Sequence, residues 1–286
     1  MSDERDLRAA ERVLTGRALL ARAATALAAR DIAPIALKGL VLSALGERLD
    51  PPAPPRWMSD IDLLVSPASR SASIAALRGL GLVLVAETSI ATTLRDPVLG
   101  MDVDLHERLV EPELFALDVD ALIARALPAE IHFGRSVRML ERHDLYAHLV
   151  AHFVRGRSDA RDRRHVADLA LVARALPMEP LVLARHLERL GLGRAARLAL
   201  GIASEADDAF ARAVLAALEP DPRGDAMARL SRRWLGRFAG NHPLGAPAVH
   251  LVNRSAAAGL RSLAAHVVRG GRSRAGRVLQ RPSVPP

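Results

Sequence analysis

The 286-residue chain has no cysteine, which excludes disulfides, thiolate metal sites and cysteine nucleophiles together. Aromatic residues are scarce at 3%, so leucine, valine and alanine must build the interior. Lysine is almost missing: among forty basic residues, Lys38 is the one lysine. No apolar run is long enough to span a bilayer, and the opening Met-Ser-Asp-Glu-Arg leads into an amphipathic segment rather than the apolar stretch of a signal peptide. A cytoplasmic location is therefore expected. Three motif absences narrow the chemistry. There is no Gly-x-Ser-x-Gly elbow, no Gly-x-x-x-x-Gly-Lys-Ser/Thr loop and no Gly-x-Gly-x-x-Gly fingerprint. Serine-hydrolase, P-loop and dinucleotide-binding readings are left unsupported.

Acidic residues are also absent from one region. None follows Asp225, whereas eleven arginines lie between Arg229 and Arg281. The net charge of +8 thus belongs to the C-terminal portion, because the part up to Asp225 holds 29 basic against 32 acidic residues. Such an end can attract RNA, anionic lipid or an acidic partner protein. It reads more simply as a solvated, partly disordered tail of an arginine-biased chain.

Apolar residues at helical spacing predict a long helix over about Glu4–Arg30. A short apolar run, Ile35–Leu37, ends at Lys38-Gly39, and a helix over Leu40–Glu47 follows. The prolines between Asp50 and Pro55 require a loop. Asp60–Val65 reads as a strand, and Ser66-Pro67 as the cap and first-turn proline of a helix reaching Leu80. Further strands are expected at Leu82–Ala86, Ser89–Arg95 and Met101–Glu107, with a turn over Asp96–Gly100. Between Glu111 and Met139 the signals are mixed: a short helix, then a hairpin around Gly134. From Glu141 onward helical periodicity is nearly continuous, broken at Pro177, Gly191, Pro220 and Pro243. The expected class is α+β: a small mixed sheet with flanking helices over residues 1–140, a helical part over 141–269 and a basic, disordered tail over 270–286.

The chemistry concentrates in two strands. On Asp60-Ile61-Asp62-Leu63-Leu64-Val65, side chains alternate, so Asp60 and Asp62 share one face while Ile61, Leu63 and Val65 take the other. Two carboxylates so placed repel each other, and a divalent cation bridging them relieves that repulsion. Oxygen ligands point to Mg²⁺ or Mn²⁺. On Met101-Asp102-Val103-Asp104-Leu105-His106, the residues Asp102, Asp104 and His106 again share a face. A third acid on a neighbouring strand is what two-metal phosphoryl transfer requires, and either Asp102 or Asp104 can supply it. The turn at Lys38-Gly39 offers backbone N–H groups and the positive end of a helix to phosphate, and Gly39 permits close approach.

Taken in order, Leu37-Lys38-Gly39, then Arg56-Trp57-Met58-Ser59-Asp60-Ile61-Asp62-Leu63-Leu64-Val65, then Val103-Asp104-Leu105-His106, resemble the uncharacterised nucleotidyltransferases of the DNA polymerase β superfamily. Asp144-Leu145, Leu149-Val150-Ala151-His152 and His165–Ala170 extend the resemblance into the helical part, so that it covers about residues 15–175. It implies a polymerase β-like core, with Asp60, Asp62 and Asp104 as catalytic metal ligands and Asp104 favoured over Asp102. It also implies that Lys38 and Gly39 contact the triphosphate of a nucleotide substrate, assisted by Arg56. One departure is Glu107, which stands where that family usually has an aromatic residue and is expected to bring another anion near the site.

Asp144, His148 and His152 recur at four-residue steps and share a helix face. That face can line the cleft opposite the carboxylates, hydrogen-bond between helices or, with Asp168, bind zinc. His106 can orient a carboxylate, touch phosphate or simply pack. The expected activity is Mg²⁺-dependent transfer of a nucleoside monophosphate from a nucleoside triphosphate to a hydroxyl of a protein, small molecule or RNA. The rival expectations are a non-catalytic protein of the same fold that engages a partner or RNA through its basic end, and a toxin–antitoxin component.

Overall fold

Alanine, leucine and arginine at helical spacing produce α1 (Ser2–Ala28), which buries one face through Val13, Leu19, Leu20, Ala23, Ala24 and Leu27 and leaves Leu14 exposed. The computed structural model describes residues 2–111, 114–115, 117–129, 137–156, 163–206, 208–238, 250 and 252–253. The expected hairpin tip at Gly134, residues 157–162 of the arginine-rich run from Arg155 to Arg164, and the tail over 270–286 lie outside those residues.

After β1 (Ile35–Ala36), helix α2 (Lys38–Glu47) begins two residues earlier than its apolar pattern suggests. Leu37 is extended and serves as the cap residue, so Lys38 and Gly39 form the first helical turn instead of preceding it. Lys38 has a positive φ of 34°, uncommon for a residue with a β-carbon. Almost all of α2 is buried. The proline-rich segment that follows carries no regular structure up to β2 (Asp60–Leu64). Arg12 of α1 donates to the carbonyls of Met58 and Ser59, which pins the chain as it enters that strand.

Ser66 caps as expected, accepting from the backbone N–H of Ser69, but the first turn is a 3-10 helix (Pro67–Ser69) before α3 (Arg70–Gly79). Three strands follow: β3 (Val83–Glu87), β4 (Ala91–Asp96) and β5 (Met101–His106). The second starts later than its apolar pattern because the Thr88 hydroxyl accepts from the N–H groups of Ile90 and Ala91 and holds them in a turn. Between β4 and β5, Asp96 accepts from the N–H groups of Val98 and Leu99, and Gly100 closes the turn at φ 59°.

The short helix α4 (Val119–Arg125) precedes β6 (Leu127–Pro128) and β7 (Arg138–Met139), which pair antiparallel and so bracket the expected hairpin. The seven strands form one mixed sheet in the order β3-β4-β5-β2-β1-β7-β6. Pairs β2–β5 and β1–β7 are parallel; the others are antiparallel.

Thereafter the described chain is helical: α5 (Arg142–Arg155), α6 (Arg163–Ala175), α7 (Pro180–Arg189), α8 (Gly193–Glu205), α9 (Ala209–Ala217) and α10 (Pro222–Phe238). The α+β class is thus the observed one. Helices α1 and α2 pack beside β2, α3 lies against α1, and α6 lies against α2. A single cluster of buried apolar side chains runs from α1 through the sheet into α5, α8 and α9. Among the described residues no helix is long and apolar enough to cross a membrane.

Candidate active site

Parallel pairing of β2 with β5 sets Asp60 beside Asp102, Asp62 beside Asp104 and Leu64 beside His106, with no slip in register. Because both strands alternate, their polar residues share one face of the sheet. One ligand atom each of Asp62, Asp104 and His106 lies within 4.8 Å of the others. That face is open mainly at one end: Asp60 is partly exposed, Asp62 is buried and Leu64 fully so. The two candidates for third carboxylate separate here. Asp102 accepts from Arg95 of β4 at both oxygens, at 2.7 and 2.8 Å, whereas Asp104 stands with Asp62 and accepts from the Thr93 hydroxyl at 2.6 Å.

Lys38 reaches Asp62 from the head of α2: its Nζ is 2.9 Å from Oδ1. The same oxygen lies 2.9 Å from His106 Nε2, the ring nitrogen that donates to an ionised carboxylate. Burial by itself would raise the Asp62 pKa, but Lys38 and His106 outweigh it and hold the carboxyl well below the usual range. Asp60 goes the other way. Burial, then repulsion from Asp62 and Asp104, pushes its pKa up against the weaker pull of Lys38. Three carboxylates therefore converge against one lysine. A divalent cation would balance this excess of negative charge with the oxygen donors it prefers, so the residues present fit Mg²⁺ or Mn²⁺. Among the described residues, Asp62, Asp104 and His106 form the only such group. Asp60 stands next to it and outside it.

Gly39 sits in the first turn of α2, whose cap residue Leu37 makes no side-chain hydrogen bond and whose first turn holds no acidic residue. The positive helix end is left unneutralised. A β-carbon on Gly39 would stand 2.8 Å from Met58 Cε and 3.8 Å from Arg56 Nη1. Arg56 itself is paired with Asp168 of α6, Nε to Oδ1 at 3.0 Å and Nη2 to Oδ2 at 2.7 Å. This pairing, across 112 residues of sequence, has no local signal.

The zinc reading of the helical face is corrected. Asp168 is committed to Arg56, and Asp144 turns away to Arg125 of α4, at 2.8 and 3.0 Å, and to His186 of α7, at 2.8 Å. The inter-helix hydrogen bonding that this face can make is thus realised by Asp144. His148 is buried with both ring nitrogens unpartnered, and burial, then the charges of Lys38 and His106, lower its pKa to about 3. His152, 6.1 Å from it between ring centroids, is shifted the same way, by burial first and then by the charge of Lys38. The anion expected from Glu107 is also redirected. One residue past His106, Glu107 falls on the opposite side of the alternation, and its carboxylate lies 3.4 Å from Arg70 Nε.

Comparison with solved structures finds likenesses at low identity. The antibiotic-resistance factor ANT(2'')-Ia in solution is 16% identical over 68% of this chain and 97% of that one, with a TM-score of 0.47. An antigenic nucleotidyltransferase-like protein from Paracoccidioides brasiliensis is 14% identical over 73% and 95%, with a TM-score of 0.46. JHP933 from Helicobacter pylori is 14% identical over 79% and 94%, with a TM-score of 0.38. Likeness at this level does not extend to substrates. No curated protein matches the chain. The model of the uncharacterised nucleotidyltransferase family matches residues 3–206, which span the sheet, the carboxylate cluster and the helices as far as α8, and the chain belongs to that family.

Proposed function

We propose that the protein binds a nucleoside triphosphate with Mg²⁺ or Mn²⁺ and transfers its nucleoside monophosphate to a hydroxyl of a protein, small molecule or RNA. The observation that carries this reading is the convergence of Asp62, Asp104 and His106 across two parallel strands, with Lys38 entering from the head of α2. In it, Asp60, Asp62 and Asp104 hold the metal. A cation bound there would supply stabilisation of the negative charge that develops during transfer.

The chain's own residues have separate tasks. Asp104, fixed by the Thr93 hydroxyl, accepts the proton of the acceptor hydroxyl as its oxygen attacks the α-phosphorus. The bond from that phosphorus to the bridging oxygen breaks, and pyrophosphate leaves with the electron pair. His106 orients Asp62 through its Nε2–H. Lys38 exchanges Asp62 for a phosphate oxygen, Gly39 lets phosphate approach the backbone, and Arg56 adds a donor beside it. The helical part shapes the acceptor site, and the arginine-rich C-terminal region is where an RNA or acidic protein would be drawn.

Calorimetric titration of the four nucleoside triphosphates with Mg²⁺, into the native protein and into Asp60→Asn/Asp62→Asn, tests the reading. Metal-dependent binding of one or more triphosphates, lost in the folded double variant, is expected. Absence of binding by the folded native protein would reject it in favour of a non-catalytic role.

A further inference from the structure

The pair between Arg56 and Asp168 fixes more than the packing of α6 on the rest of the fold. Two parallel hydrogen bonds set the plane of the guanidinium and occupy two of its three nitrogens. Asp168 is 5% exposed, so water offers Arg56 little competition for it. The third nitrogen, Nη1, is left facing Gly39. The same small region holds the uncapped N-terminus of α2 and Lys38.

Arg56 follows a proline-rich segment without regular structure, so its own backbone does little to orient a long side chain. Unheld, the guanidinium would sample many rotamers, and ordering it at each binding event would weaken affinity. We propose that Asp168 is a positioning residue for the triphosphate: it holds Arg56 so that Nη1, Lys38 and the first N–H groups of α2 meet the outer phosphates together. This rests on the nucleotide-binding reading of Lys38, Gly39 and Arg56. Two opposite effects are at stake. Asp168 preorganises Arg56 and also offsets part of its positive charge, which by itself would weaken attraction for phosphate. Preorganisation dominates because the carboxylate engages Nε and Nη2 and leaves Nη1 free to donate.

The experiment compares affinities of the four nucleoside triphosphates and their monophosphates, each with Mg²⁺, for full-length native protein, Asp168→Asn, Asp168→Glu, Arg56→Gln and the double variant Arg56→Gln/Asp168→Asn. Loss of one charge-assisted donor predicts that Asp168→Asn weakens triphosphate binding roughly 10- to 100-fold. Monophosphate binding, which lacks the outer phosphates, should change by less than about threefold. Arg56→Gln should show the same selective loss, and the double variant no further loss, because both substitutions remove one donor. Asp168→Glu keeps the charge but displaces the guanidinium, so it should fall between Asn and native; if Asp168→Asn does not fold, a selective loss in Asp168→Glu carries the same meaning.

Unchanged or tighter triphosphate binding in the Asp168 variants, beside a loss in Arg56→Gln, overturns the inference. So does an equal loss of triphosphate and monophosphate, which marks a general structural role. Full triphosphate affinity in Arg56→Gln removes Arg56 from the phosphate site, and the inference goes with it. Failure of the native protein to bind any triphosphate is a separate result that rejects the nucleotide reading itself.

Discussion

Lys38→Met removes the one lysine while keeping a side chain of similar length, and its effect should depend on metal. Lys38 Nζ and His106 Nε2 both lie 2.9 Å from Oδ1 of Asp62, which is 8% exposed. At that separation and an effective dielectric of about 20, the attraction between lysine and carboxylate is roughly 6 kcal/mol before desolvation is subtracted. Removing one partner of a buried pair generally costs about 3–5 kcal/mol. Lys38 keeps some contact with solvent at 16% exposure and His106 still donates, so a loss near the lower end, about 2–4 kcal/mol, is expected. That loss applies to metal-free protein. On the proposed reading, a divalent cation would compete with Lys38 for Asp62 in the native chain, whereas in the variant three carboxylates would face no lysine and the cation would have no rival. Mg²⁺ should therefore stabilise the variant by at least about 1 kcal/mol more than it stabilises the native protein. Urea unfolding at neutral pH, in EDTA and in millimolar Mg²⁺, reads both quantities. A metal-free loss below about 1 kcal/mol, or equal gains from Mg²⁺, would refute the account of Lys38 as a counter-ion in the cation's place.

Three further outcomes are expected. Asp144→Ala should destabilise by about 2–3 kcal/mol, because it strips hydrogen bonds from Arg125 and His186; the figure is kept low because Arg125 is 43% exposed. Burial raises the Asp144 pKa, but His186 and Arg125 prevail and hold it below the ordinary carboxylate value. Its contribution is therefore present above that value and lost as pH falls through the folded pKa, so acid denaturation curves of native and variant should converge. His148→Leu should leave stability unchanged or raise it by up to about 2 kcal/mol, since neither ring nitrogen has a partner. Between the ordinary histidine value of 6.5 and the folded value of about 3, the unfolded chain binds the extra proton. Native stability should fall as pH is lowered across that window, and less steeply in the variant; a steeper fall would contradict a buried neutral imidazole. Gly39→Ala should change stability by less than about 1 kcal/mol, since a better helix former offsets a small shift of Met58, whose methyl end is what a β-carbon would meet at 2.8 Å. Its triphosphate affinity should nonetheless drop, which calorimetry reads directly.

The sequence by itself determined the features that local spacing controls. Period-two alternation places Asp60 with Asp62, and Asp102 with Asp104 and His106, on single faces, while the surrounding Ile, Leu and Val residues bury those strands. Helical periodicity locates α1 and α5, and Lys38-Gly39 stands out at a strand-to-helix junction. Glu107 was open to the same local argument, since a residue following His106 points the other way. What only the tertiary structure decided involves partners far apart in the chain. Parallel register set Asp62 beside Asp104, and the neighbouring strand drew Asp102 to Arg95. Lys38 met Asp62 across a helix and a proline-rich loop, and Arg56 met Asp168 across 112 residues. The division has a physical cause: side-chain direction along a strand or helix is fixed by backbone geometry, whereas pairing of distant charges depends on how elements dock. Docking is driven chiefly by burial of apolar surface, which is non-directional and leaves no mark on the charged residues it brings together.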